Sequence, residues 1–287
     1  MRWMIIGSIA NNLQSVHQRI AAACASSGRP AGSVQLLAVS KTFGADAVRE
    51  AFAAGQRAFG ENYVQEALDK ITALADLRRQ TEWHLIGPLQ SNKTRDVAAA
   101  FDWVHSVDRL KIAERLSAQR PAGLPPLQLC LQVNISGEAS KSGVAPAELL
   151  ALAQAVAALP AQRVRVRGLM GLPEAALGAA AQRRPHRLLR ELLEMLNGHG
   201  LALDTLSMGM SGDLEAAVPK APPSFAWAAP SSVAAQRPHT DSHCRASAAI
   251  CHTRPAQPLV TGRSNTAQFK ASARRRGGPL PGQLPRA

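Results

Sequence analysis

Between Val34 and Val218, short runs of apolar and β-branched residues alternate with stretches whose apolar positions recur at helical spacing. That alternation predicts repeated βα units around a parallel sheet, because each strand is covered by the helix that follows it. The predicted strands are residues 35–40, 57–60, 83–87, 103–107, 127–135, 164–170 and 203–208. A leading helix over 13–27 precedes the first strand, and a long helix over 182–197 precedes the last. Boundary signals agree with the periodicity: Gly55 closes a helix over 45–54, and Pro146 opens one over 146–159 at a first-turn position. Seven such units without a second sheet-like region predict a TIM-type (β/α) barrel rather than an open doubly wound sheet. Neither a G-x-G-x-x-G run nor a Walker A lysine loop is present, which removes the common nucleotide loops.

Composition divides the chain at Val218. A formal net charge of +13 over 287 residues suggests a binder of nucleic acid or of anionic membranes. Ten of the 33 Lys and Arg residues but only one of the 20 Asp and Glu residues lie after Val218, together with ten of the 19 prolines. Residues 1–218 are therefore expected to form the barrel and 219–287 a disordered Pro/Arg-rich tail. The Arg274-Arg275-Arg276 cluster is the one feature that would release counterions from a nucleic acid, and nucleic acid is not the expected partner of the barrel. The four cysteines show no C-x-x-C spacing, and His243-Cys244 with Cys251-His252 fits no common zinc pattern, so no metal is expected. The apolar opening before Asn11 is far shorter than the ~20 residues of a membrane span. A protein of the reducing cytoplasm is expected, with no membrane contact.

Two places carry chemistry. Leu37-Ala38-Val39-Ser40-Lys41-Thr42 puts a lysine at the carboxyl end of the first strand, where barrel active sites gather. An amine is protonated up to about pH 10 in water, so a nucleophilic lysine needs burial or a neighbouring cation, both available at a barrel mouth. By itself such a lysine is more often a solvated charge just past a strand. The second place is Leu206-Ser207-Met208-Gly209-Met210-Ser211-Gly212-Asp213, where the seventh strand turns through glycines into a helix. Close backbone N–H groups, hydroxyls and a helix start make such a turn suit a phosphate. An N-cap at Ser211 with a tight glycine turn explains the same residues equally well. In a closing barrel the first and seventh strands are near neighbours, and a lysine beside a phosphate loop outlines a site for pyridoxal 5'-phosphate (PLP).

Six runs carry a family resemblance: LAVSKT (37–42), FGENYVQ (59–65), WHLIGPLQSNK (83–93), VNISGEASKSG (133–143), RGLM (167–170) and LSMGMS (206–211). In this order and spacing the chain resembles the PLP homeostasis proteins called YggS or PROSC, over roughly residues 13–218. The resemblance implies a barrel similar to the N-terminal domain of alanine racemase, with PLP held as a Schiff base on Lys41. It places Asn62 near the cofactor and gives the phosphate to Ser207 and the following backbone at Met208 and Gly209. The other motif residues read mostly as scaffold: His84 as a hydrogen-bonded core histidine, Asn92 as a cap, Lys93 and Lys141 as solvated charges. The implied function is PLP binding in intracellular PLP homeostasis, with PLP-dependent enzymes as the partners that would receive it. The alternative is a PLP-dependent amino-acid racemase, which needs acid–base groups on both faces of its substrate. Relatives in the racemase class draw a tyrosine from a second domain, and the only tyrosine here is Tyr63 within the barrel region.

The chain departs from the family after Val218. The family would complete a helix and add an eighth strand of the form V-R-x-G-(T/S), whose arginine approaches the cofactor ring and whose Gly-Thr helps hold phosphate. Here Pro219-Lys220-Ala221-Pro222-Pro223 follows, with no sustained periodicity beyond it, an abrupt switch that resembles translation in another frame. The eighth strand is expected to be missing and the barrel poorly closed. The nearest substitute in the tail is Leu259-Val260-Thr261-Gly262-Arg263-Ser264.

Overall fold

The computed structural model describes residues 8–136, 142–173, 179–218 and 250–252. Helix α1 (Ile9–Ser26) leads into strand β1 (Gln35–Val39), followed by α2 (Ala45–Ala53) and β2 (Ala58–Glu61). Next come α3 (Val64–Ala73), β3 (Glu82–Leu85), α4 (Thr94–Ala100), β4 (Trp103–Val107), α5 (Leu110–Gln119) and β5 (Leu127–Gln132). Then α6 (Leu149–Ala157), β6 (Val164–Gly171), α7 (Ala179–Gly198), β7 (Thr205–Met208), the one-turn α8 (Leu214–Ala217) and β8 (Ile250–His252) complete the order. The seven expected strands are all present and pair in sequence order as parallel neighbours.

The eighth position is filled in a way the sequence does not announce. Strand β8 closes the barrel and runs antiparallel to both flanking strands, with Leu37 opposite Ile250, Gln35 opposite His252, and Met208 opposite Cys251. The family's parallel V-R-x-G-(T/S) strand is not what stands there. A three-residue piece of the tail instead pairs with three residues of β1 and one of β7, covering part of edges that would otherwise leave a row of unmet N–H and C=O groups. The Leu259–Ser264 candidate lies outside the described residues.

Side-chain alternation along each strand sorts the core into two layers. Outward positions such as Phe59, Trp83, Leu85, Leu129 and Leu206 join helix residues including Val48, Ala67, Ile112 and Leu193 in one large buried cluster. Each of the larger of these side chains contributes about 1.5–3 kcal/mol on burial. Inward positions form two smaller clusters, Leu37, Val39, Ala58 and Ile86 on one side and Trp103, Cys130 and Met170 on the other. Arg167 plugs the amino-terminal end of the strands: its guanidinium pairs with both carboxylate oxygens of Asp204, reaches Gln128 at 3.0 Å, and lies 5.2 Å from the Trp103 ring centre. Arg167 thus fills the amino-terminal end, which leaves the carboxyl ends of the strands, where barrel sites gather, as the candidate opening. Among the described residues no helix is long and apolar enough to cross a membrane.

Candidate functional site

Lys41 sits at that opening, two residues beyond the last residue of β1. Alternation gives it the inward face shared with Leu37 and Val39. Its side chain is half-buried and makes no hydrogen bond or ion pair among the described residues. The backbone around it is held firmly. Thr42 occupies the left-handed region at φ 67°, unusual for a β-branched residue, and its N–H donates to Glu66 Oε1 at 2.5 Å. Lys70, 5% exposed, donates to the Ser40 carbonyl, to Glu61 Oε1 at 2.8 Å and to Glu66 Oε1 at 2.6 Å. The Ser40 hydroxyl donates to the same Glu61 oxygen at 2.6 Å. Burial pushes the Glu61 carboxyl up, against the pull of Lys70 and Ser40. Lys41, just past β1, and Lys70, in α3, therefore have opposite situations: Lys70 is saturated by acceptors, whereas Lys41 has none among the described residues.

Asn62 follows the end of β2, and its Oδ1 is buried without a hydrogen-bond partner among the described residues. Its backbone is pressed against Gly87, where an added Cβ would lie 2.1 Å from the Asn62 carbonyl oxygen. Only glycine fits there.

The loop after β7 supplies the third wall. Gly209 takes φ 87°, a left-handed turn that glycine adopts without cost. The N–H groups of Ser211 and Gly212 make no hydrogen bond among the described residues, and Ser211 Oγ is buried without a partner there. The N-cap of α8 is Asp213 rather than Ser211, which leaves the Ser211 hydroxyl unclaimed. Asp213 braces the loop by accepting from the Met210 N–H on one oxygen and pairing with buried His186 at 2.9 Å on the other. Arg19 of α1 reinforces it from outside, with 3.0 Å to the Ser211 carbonyl and a two-point grip on Glu215. Free N–H groups, an idle hydroxyl and a rigid turn are what a phosphate requires. Ser207 itself lies inside the barrel, fully buried, with Oγ 2.7 Å from His105 Nδ1. His105 Nε2 is in turn 3.1 Å from His84 Nδ1. Burial, with the neighbouring His84 adding to it, holds the His105 imidazole well below its usual range, so it is neutral at pH 7.

Comparison with known proteins bears on this arrangement directly. A family profile described as alanine racemase, N-terminal domain, matches residues 8–230. The chain is 62% identical over 213 residues to a pyridoxal phosphate homeostasis protein of Pseudomonas aeruginosa, spanning 74% of this chain and 90% of that one. The chain belongs to the pyridoxal phosphate homeostasis protein family. An Escherichia coli member is 51% identical over 214 residues, 74% of this chain and 91% of its own. The structure of PipY from Synechococcus elongatus, with PLP bound, is 39% identical with a TM-score of 0.65, covering 78% of this chain and 97% of that one. Alanine racemase from Corynebacterium glutamicum, 20% identical with a TM-score of 0.51 over 69% of this chain and 52% of its own, shares the fold.

For a family whose relatives carry that name, the residues present fit PLP. A lysine amine, an amide oxygen and a hydroxyl beside backbone N–H groups, all without hydrogen-bond partners among the described residues, stand at or just beyond the carboxyl ends of the strands. Lys41, Asn62, Ser207 and Gly209 fall at the carboxyl ends of their strands, as the sequence suggests. The Met208 side chain is buried among the outward core residues, so only its backbone is available to a ligand. Lys141 lies outside the described residues. Asn92 belongs to a 3-10 turn (Ser91–Lys93) and makes no capping bond to α4. Sequence reading passed over Glu61, Glu66, Lys70, His105 and Asp213, although a glutamate inside FGEN and a histidine within an otherwise apolar strand are polar residues that burial obliges to find partners.

Proposed function

We propose that this chain binds PLP reversibly and serves intracellular PLP homeostasis, with Lys41 bonding covalently to the cofactor. The observation that carries the reading is the uncommitted Lys41 amine on a fixed backbone, facing the same opening as the unclaimed polar groups of Asn62 and Ser211. Bound PLP supplies an aldehyde that an amine can capture with loss of water. The residues here do the rest. The contacts of Ser40 and Thr42 to Glu61, Glu66 and Lys70 fix where Nζ of Lys41 emerges. The turn from Ser207 to Gly212 takes the phosphate on backbone donors with the Ser207 and Ser211 hydroxyls, and the Asn62 amide orients the ring edge. Trp103, Met170 and Cys130 form a dry floor. In this reading the protein acts in the cytoplasm and passes the cofactor to PLP-dependent enzymes, and it requires no turnover of its own.

The test is borohydride reduction after incubation with PLP, followed by peptide mapping. The adduct is expected on Lys41, and Lys41→Ala is expected to abolish it while leaving weaker, phosphate-driven binding. An undiminished adduct in that variant would assign the chemistry to another lysine and end this reading.

A further inference from the structure

The three buried side chains His84, His105 and Ser207 form a single file across the barrel interior, from β3 through β4 to β7. We propose that His105 is a positioning residue for the phosphate of the ligand, fixing the direction of the Ser207 hydroxyl by a coupled tautomer change with His84. The proposal rests on the PLP-binding reading above and deepens it.

The geometry allows two proton arrangements. His105 is neutral, so it carries one N–H and one bare nitrogen. In the first arrangement the Ser207 hydroxyl donates to His105 Nδ1 across 2.7 Å, and His105 Nε2–H donates to His84 Nδ1 across 3.1 Å. His84 then holds its proton on Nε2, 3.6 Å from the Glu82 carboxylate, which favours it there. In the second arrangement every hydrogen bond runs the other way. His84 Nδ1–H donates to His105 Nε2, His105 Nδ1–H donates to Ser207 Oγ, and the Ser207 proton is free to point at a ligand. Going from the first to the second, the Ser207 proton passes to His105 Nδ1 and the His105 Nε2 proton to His84 Nδ1, while His84 Nε2 releases its proton and Ser207 Oγ takes one up from the ligand side, so the number of protons and the net charge are unchanged.

Only the second arrangement suits a phosphate. A hydroxyl committed to a histidine presents lone pairs to an anion, whereas a hydroxyl that accepts from His105 donates to it. The rings are held for this role by packing: His84 stacks on Trp103 at 5.5 Å and 14°, and meets His105 edge-on at 5.3 Å. The Glu82 carboxylate and an incoming phosphate thus pull the same file of bonds in opposite directions. Without ligand the hydroxyl faces inward, and with ligand it turns outward.

Side-chain nitrogen NMR on the full chain at neutral pH reads the tautomers directly, with inorganic phosphate, PLP and pyridoxal as the probes. Phosphate and PLP are expected to move the His105 proton from Nε2 to Nδ1, and pyridoxal, which lacks the phosphate, to leave it on Nε2. In parallel, His105→Leu is expected to lower the preference for PLP over pyridoxal by roughly 10- to 100-fold, the value of a hydrogen bond to a charged group. His105→Asn, which keeps a donor near Nδ1, is expected to restore most of it. A borohydride adduct on Lys41 with His105 still protonated on Nε2 would overturn the relay while the PLP reading stands. A tautomer change with phosphate but no adduct on Lys41 would leave the relay and remove the covalent reading. Because the tautomers are measured on the unsubstituted protein, poor folding of a variant does not decide the matter.

Discussion

At the scale of single residues, Lys70 is the position whose removal would spread furthest. Its ammonium is nearly inaccessible and bridges two carboxylates, those of Glu61 and Glu66. Lys70→Met leaves both uncompensated, and breaking a buried pair in this way costs about 3–5 kcal/mol. The loss is pH-dependent with a definite sign. Burial already raises the folded-state Glu61 carboxyl above its reference value of 4.5, and Lys70 is among the groups that oppose the rise. Without Lys70 the carboxyl moves further up, so the folded state holds that proton more tightly than the unfolded chain does. The Glu61 contribution is then fully present below about pH 4.5 and lost as pH rises through the raised value. Urea unfolding of the two proteins should show a gap at pH 7.5 that narrows toward pH 5, and a pH-independent gap would sink the account. The same substitution frees the Ser40 carbonyl and the backbone at Thr42, so the rate at which PLP captures Lys41 should fall as well.

At the scale of elements, the close approach of the loop after β3 to the end of β2 makes a sharp prediction. Gly87→Ala would drive a methyl group into the Asn62 backbone, at 2.1 Å from its carbonyl oxygen, and the strand end must shift to relieve it. Overpacking of this kind costs about 1–3 kcal/mol, and here it also displaces a ligand-facing residue, so PLP affinity should drop several-fold. Gly44→Ala serves as the control, since nothing lies within 4 Å of its added Cβ. Thermal midpoints and PLP titrations of the two variants are expected to diverge, and matching behaviour would place Asn62 outside the site. Elements were also where the sequence was most legible. Runs such as 103–107 carry β-branched and aromatic residues between helical stretches, and the strand Trp103–Val107 has those bounds. Lys41 and the Gly209 loop stood out because strand ends are where a barrel presents chemistry. The bracing contacts did not, because Ser40, Glu61 and Lys70 are brought together by the packing of α3 on β1 and β2, which no local period encodes. Helix ends shifted: the segment opening at Pro146 begins as a 3-10 turn (Pro146–Glu148) before α6, and α7 starts at Ala179, three residues before the expected 182. Strand β8 was illegible because three residues cannot display a period of two.

For the whole molecule, closure by that short segment is the feature to test. Removing residues 219–287 would expose the facing edges of β1 and β7. About three ladder bonds at roughly 1 kcal/mol each would be lost, which for a chain of this size corresponds to a thermal midpoint lower by roughly 6–12 °C. PLP affinity should weaken in step, because Lys41 and the Gly209 loop stand on the two strands that β8 joins. A truncated chain as stable as the full one would mean that the barrel does not depend on its last strand. The order of synthesis adds a further consequence. Leu37 pairs with Ile250, so the ribosome must add more than two hundred residues after β1 before its partner exists. At roughly 5–20 residues per second that interval lasts on the order of 10–40 s. Throughout it the nascent chain carries an open strand edge of the kind that recruits other chains. The yield of folded protein should therefore respond to translation speed and to the supply of holding chaperones more steeply than in a barrel whose last strand follows promptly on its seventh.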